Sequence, residues 1–274
     1  MARTCTLHLA PCTVNPEPGA TSLHHQEVPV WFRRTEHLTA RDIAHADGTL
    51  SASERARADR FRFPDARRDY VIAHDLLRRS LSRYGSIAPA AWQFDVGAHG
   101  RPFLRRAEGQ PPIFFSLTHT TGLVACAIAR EPWVGVDVER TSRTLTRLDI
   151  GARILSPVEA HALDRCEESE RRLRLFELWT LKEACAKAAG LGFLIGFRGL
   201  SFSIEGTDLR FTPPSSLSER RWSAALFAPT ADSRLAVAIG QSGPDRARVS
   251  VRDADAEGLI LAPLRATRED VERV

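Results

Sequence analysis

Trp133-Val134-Gly135-Val136-Asp137-Val138-Glu139 decides how this chain is read. Two kinds of residue alternate along it. Side chains alternate between the two faces of a β-strand. Val134, Val136 and Val138 therefore face a core, and Gly135, Asp137 and Glu139 share the other face. Cα atoms two positions apart on a strand are separated by roughly 6–7 Å. Two carboxylates at that spacing can converge on one cation, and Gly135 leaves room for a ligand to approach. A half-buried strand with a solvated acidic face carries the same pattern.

Outward from this strand, helices and strands occur on both sides. Upstream, Val28–Phe32 reads as a strand and Leu50 to Gly85 as helical. Ser51-Ala-Ser-Glu54 has the form of a capping box. Trp92–Val96, Ile113–Leu117 and Leu123–Ala129 read as strands, and Gly97-Ala-His-Gly100-Arg-Pro102 as a turn. Downstream, Ser156-Pro157-Val-Glu159 starts a helix, with Glu159 as the N3 member of a capping box. A longer helix spans about Arg172 to Ala189 and stops at Gly190. Phe202–Ile204, Leu209–Phe211, Trp222–Phe227 and Leu235–Ile239 read as an antiparallel set. The pattern predicts an α+β fold of two units with similar make-up, meeting near residue 131. The expected divisions are an N-terminal extension (1–25), an N-terminal half (26–131), a C-terminal half (132–240) and a C-terminal tail (241–274).

The helix Trp179-Thr-Leu-Lys182-Glu183-Ala-Cys-Ala-Lys187 holds both lysines of a chain with thirty-six arginines. A lysine can give up a proton that arginine keeps. Glu183 and Lys187 are four residues apart and share one helix face, either as an exposed ion pair or as part of a site. Leu175, Leu178, Cys185 and Ala189 form the core-facing stripe. Lys182 lies about 100° round from Glu183, nearer that stripe, and its role does not follow from spacing. Trp179 reads as packing.

Length and composition are those of a globular protein, with 43% hydrophobic and 26% charged residues. A net charge of +4 favours acidic partners such as phosphates or an acidic protein surface. No block of like charge reads as a nucleic-acid arm, so nucleic acid is not an expected partner. The apolar run Leu123–Ala129 is too short to span a bilayer, and the N-terminus lacks the apolar core of a secretory signal. Five cysteines without a C-x-x-C pair predict neither a disulfide framework nor a zinc site, which suits a cytoplasmic protein.

Asp137, Glu139 and Glu183 offer only oxygen ligands. Such a set suits a hard cation, and with few protein ligands it suits Mg²⁺ completed by water and phosphate oxygens. A lysine beside it suits a phosphate substrate.

Gly135-Val-Asp137-Val-Glu139 followed by Trp179-x-x-Lys182-Glu183-Ala184-x-x-Lys187 resembles the paired signature of the 4′-phosphopantetheinyl transferases of the Sfp type. Gly100-Arg101-Pro102 looks like that family's Gly-Lys/Arg-Pro turn. Phe115-Ser-Leu-Thr118-His119-Thr120 looks like its Phe-Asn-x-Ser-His-Ser segment. Leu50 through Phe61 is similar to its basic N-terminal helix. The resemblance covers about residues 50–205. Ser116 stands where the family has asparagine and Thr118 where it has serine, so altered local hydrogen bonding is expected there.

The resemblance implies two similar α+β halves forming a pseudo-dimer in one chain, with the active site at their junction. It implies an enzyme that moves the 4′-phosphopantetheine arm of coenzyme A to a serine of an apo acyl or peptidyl carrier protein, releasing adenosine 3′,5′-bisphosphate. The carriers would be those of fatty acid, polyketide or peptide synthases, the latter two in secondary metabolite biosynthesis. Asp137, Glu139 and Glu183 would hold Mg²⁺. Lys187 would contact the pyrophosphate and assist departure of the bisphosphate, and Glu183 or a metal-ordered water would take the serine proton. Arg57, Arg101, Thr118 and His119 would contact coenzyme A, with looser matches at Arg67 and Arg68. A monomer is expected.

Overall fold

The computed structural model describes residues 22–97, 100–105, 112–142, 153–243, 247–256 and 260–267. Most of the expected N-terminal extension, with Cys5 and Cys12, lies outside the described residues, as do Ala98 and His99 of the expected turn and the end of the C-terminal tail.

The first half runs β1 (Glu27–Arg34), α1 (Ala40–Asp47), α2 (Ala52–Ala58), α3 (Pro64–Ser82), the hairpin β2 (Phe94–Val96) and β3 (Pro102–Leu104), then β4 (Phe114–Thr120) and β5 (Leu123–Ala129). The second runs β6 (Trp133–Arg140), α4 (Pro157–Asp164), α5 (Glu168–Ala189), the hairpin β7 (Ser201–Glu205) and β8 (Asp208–Thr212), then β9 (Arg221–Phe227) and β10 (Ser233–Gln241). In each half the first strand pairs antiparallel with the last, and the last with the one before it. This repeated strand–helices–hairpin–strand–strand order is the expected pair of similar α+β halves.

The halves stack as helix, sheet, sheet, helix. Val30, Phe32, Ala125 and Ala127 of the first sheet meet Val136, Val138, Val237 and Ile239 of the second in one apolar cluster. Val134, Val136 and Val138 are 0%, 0% and 1% exposed, and each such side chain contributes about 1.5–3 kcal/mol on burial. On the outer faces, α3 covers the first sheet and α5 the second. β4 and β6 are edge strands of their sheets and lie against each other. Ser116 Oγ accepts from the Val136 N–H at 3.1 Å, and Thr118 Oγ1 donates to Asp137 Oδ1 at 3.1 Å.

The described residues of the expected C-terminal tail (241–274) pair into both sheets. β11 (Arg248–Asp253) lies parallel to β1 and extends the first sheet, with β12 (Ile260–Leu261) beyond it. β13 (Arg265–Thr267) enters the second sheet between β9 and β8. Val249, Val251 and Asp253 of β11 are buried, and Asp253 pairs with Arg34 at 3.1 Å. Both sheets are thus completed by chain from beyond residue 240. A second departure is α1, which the apolar periodicity did not predict. A capping box between Thr39 and Asp42 starts it.

Candidate active site at the seam of the two halves

β6 and α5 meet at unusually short range. A Cβ placed on Gly135 would lie 2.0 Å from the Ala184 carbonyl oxygen and 2.5 Å from the Ala188 nitrogen. The space that Gly135 leaves is therefore occupied by the α5 backbone. This corrects the expectation that it admits a ligand. The close approach has a use: it sets Lys187 directly over Asp137 and brings Glu183 within electrostatic reach of it. Lys187 Nζ donates to Asp137 Oδ1 at 2.7 Å and to the Val136 carbonyl at 3.2 Å.

Asp137 is buried, and its second oxygen, Oδ2, has no hydrogen-bond partner among the described residues. An unsatisfied buried carboxylate oxygen is costly unless a cation or donor arrives. Glu139 is also buried, and its Oε1 accepts from the Trp179 indole N–H at 2.9 Å. Glu183 is pushed up to about 7, mainly by burial. Asp137 and Glu139 raise it further, against the opposing pull of Lys187. The three carboxylates thus lie within electrostatic reach of one another. They do not form a closed cage: among the described residues no three His, Cys, Asp or Glu side chains stand in a ready metal-binding group. The all-oxygen donor set and the unpartnered Oδ2 fit a hard divalent cation, with the remaining ligands left to water and substrate.

The first half contributes His119 and Arg57. His119, at the end of β4, is exposed at its surface, yet crowding lowers its pKa. Desolvation is the largest cause, Asp69 opposes it, and the positive charges of Lys187 and Arg57 add to the lowering. Arg57, exposed near the end of α2, lies 5.7 Å over the Tyr70 ring. Three basic groups from both halves therefore act on one region, with Asp137 among them. Ser116 and Thr118 each bond to β6 as given above, so the two departures from the family pattern keep a hydrogen-bonding role.

Other candidates are committed elsewhere. Arg101 lies beside Lys187 in the same cavity, but its guanidinium donates to the carbonyls of Val134 at 3.0 Å and Ala188 at 3.4 Å. It pins the β2–β3 hairpin to β6 and α5. Arg67 pairs with Asp47 and Asp59, and Arg68 with Asp65 and Asp69. Lys182 is 0% exposed and does not face the site. Its Nζ lies 2.6 Å from Glu159 Oε2 and also donates to the carbonyls of Ile154, Phe197 and Leu200. Burial lowers its pKa and Glu159 opposes the lowering. Glu159 holds its capping position as well, accepting from the Ser156 and Phe202 N–H groups at 2.7 and 2.8 Å.

A cavity of about 490 Å³ opens beside Lys187. Pro102, Phe115, Leu117, Leu191 and Leu194 give it a largely apolar wall. It lies between the two halves, with lining from β3 and β4 on one side and from the end of α5 on the other.

A sequence model described as the 4′-phosphopantetheinyl transferase superfamily matches residues 133–238, which run from β6 through α5 to β10. The chain is an enzyme of the 4′-phosphopantetheinyl transferase superfamily. It is 29% identical over 233 residues to the 4′-phosphopantetheinyl transferase HetI of Nostoc sp., covering 83% of this chain and 94% of that one. It is 24% identical over 169 residues to the 4′-phosphopantetheinyl transferase Sfp of Bacillus subtilis, covering 62% and 70%. Among solved structures, a holo-[acyl-carrier-protein] synthase from Neisseria meningitidis aligns with a TM-score of 0.34 at 22% identity, over 39% of this chain and 96% of that one. No helix among the described residues of this transferase is long and apolar enough to cross a membrane.

Proposed function

We propose that this transferase is of the Sfp type and moves the phosphopantetheine arm of coenzyme A to a serine of an apo acyl or peptidyl carrier protein, releasing adenosine 3′,5′-bisphosphate. The observation that carries this reading is the Lys187–Asp137 contact, set beside an unpartnered Asp137 Oδ2 and a Glu183 held near 7. An ammonium group, an acidic cation site and a base thus share one seam. The relatives supply the reaction class: HetI, Sfp and others are named for it. The solved holo-(acyl-carrier-protein) synthase of Bacillus anthracis is described in complex with coenzyme A.

Asp137, Glu139 and Glu183 would hold Mg²⁺, which when bound would offset the charge of the pyrophosphate. The rest falls to the chain's own groups. Arg57 and His119 hold the 3′-phosphate end of coenzyme A. Thr118 keeps Asp137 oriented through its hydroxyl, and Arg101 fixes the cavity wall. The apolar cavity beside Lys187 suits the pantetheine arm. The carrier serine oxygen attacks the phosphorus that bears this arm, and the phosphorus–oxygen bond to the nucleotide phosphate breaks. The serine proton passes to Glu183 or to a water beside it. Lys187 neutralises or protonates the departing phosphate oxygen. Both halves lie in one chain, so a monomer suffices. Among the described residues Cys126, Cys166 and Cys185 are free thiols, which suits the cytoplasm.

The competing chemistry is a Mg²⁺-dependent phosphohydrolase, with water as the acceptor. Chromatography of the nucleotide product separates the two. Transfer predicts that adenosine 3′,5′-bisphosphate appears only when apo carrier is present, mole for mole with holo carrier. Release at the same rate without carrier overturns the transfer reading.

A further inference from the structure

Trp179 does more than fill space. Trp179, Glu183 and Lys187 stand at i, i+4 and i+8 on α5, so one helix face presents all three. The indole N–H is 2.9 Å from Glu139 Oε1. The indole ring stacks on Phe197, with centroids 5.7 Å apart and planes inclined by 16°. The carbonyl of Phe197 accepts from Lys182 Nζ at 2.8 Å. Lys182 in turn is held by Glu159 and by the carbonyls of Ile154 and Leu200. An unbroken series of contacts thus leads from a buried ammonium to a carboxylate at the candidate cation site.

We propose that Trp179 is a positioning residue for Glu139: its N–H aims the Glu139 carboxylate at the cation site, and the Lys182–Phe197 contact fixes the plane of the ring. This rests on the reading of Asp137, Glu139 and Glu183 as cation ligands. A buried carboxylate has several rotamers open to it, and a donor on one oxygen selects among them. Partners behind a metal ligand typically change metal affinity about 10–100-fold when removed. Phe197 is well placed to hold the ring because its backbone, not its side chain, meets Lys182. The motif's first lysine therefore acts on the site without touching it.

The test is Mn²⁺ binding, read by the electron paramagnetic resonance of free Mn²⁺ and without any turnover. Trp179→Phe keeps an aromatic ring against Phe197 and removes the N–H. The expected result is Mn²⁺ affinity about 10-fold or more below wild type. Glu139→Gln should lower it as well, and the double variant should bind no worse than Glu139→Gln alone. That non-additivity distinguishes positioning from a general loss of packing, and it stands even if Trp179→Phe lowers the melting temperature. Trp179→Phe with wild-type affinity, or losses that simply add, overturns the proposal and leaves the metal reading intact. A wild-type protein that binds no Mn²⁺ overturns both.

Discussion

The ammonium of Lys187 lies 2.7 Å from Oδ1 of Asp137, across the contact between α5 and β6. One partner sits on a helix and the other on a strand, and the closeness of the two elements depends on Gly135. The candidate site therefore depends on a backbone contact as much as on its charged groups.

Replacing Lys187 should separate charge from proton donation. Lys187→Ala removes both and should lower kcat/KM by roughly 10²–10³-fold, the scale of losing one group that stabilises developing charge. Lys187→Arg keeps the charge but not a proton that can leave. It should keep coenzyme A binding, read by calorimetry, within a few-fold while kcat falls. Full activity in Lys187→Arg would rule out proton donation from this position.

Gly135→Ala should be severely destabilising. The added methyl would sit 2.0 Å from a helix carbonyl, which cannot move without displacing α5. Overpacking of this kind costs about 1–3 kcal/mol and more where backbone must shift. Urea denaturation should show a loss at or above that range. A variant as stable as wild type would mean that α5 does not lie this close to β6.

Glu183 predicts a pH signature in the metal-free protein. Its folded pKa is raised from 4.5 to about 7, so between those values the native state holds a proton that the unfolded state has lost. Its contribution to stability is fully present below about 4.5, falls as pH rises through that window and levels off above 7. Glu183→Gln should flatten this decline, as measured by urea midpoints from pH 5 to 8 with chelator present. An unchanged profile in Glu183→Gln would contradict the raised value.

Lys182→Met should unfold the protein more readily without acting on phosphate chemistry directly. It leaves Glu159, 1% exposed, with its charge unpaired. Breaking a buried pair by removing one partner costs about 3–5 kcal/mol. Chemical denaturation should show a loss of that size. A loss below about 1 kcal/mol would mean that Glu159 is neutral or solvated.

What was legible in the sequence follows from range. β6 and α5 declare themselves through alternation and through i,i+4 spacing, which are local. So did the capping boxes at Ser51 and Ser156, both of which form. The partners of Arg101, Lys182 and Gly135 were not legible, because each contact joins segments distant along the chain. β11 is not legible for a similar reason. Its alternation is short, its polar members are mostly charged, and its partner β1 lies at the other end of the chain. Trp179 packs on Phe197, as its reading as packing implies. Its spacing places it on the helix face of Glu183 and Lys187, whereas its N–H contact with Glu139 joins distant segments.

The central claim, that Asp137 and Lys187 serve transfer from coenzyme A to a carrier serine, is tested most directly by the intact mass of a carrier. An apo carrier incubated with this enzyme, coenzyme A and Mg²⁺ should gain the mass of one phosphopantetheine. The same carrier with its acceptor serine replaced by alanine should gain nothing, and neither carrier should gain with Asp137→Ala enzyme of unchanged melting temperature. No gain across fatty acid, polyketide and peptide carriers, or an undiminished gain with Asp137→Ala, would contradict the account.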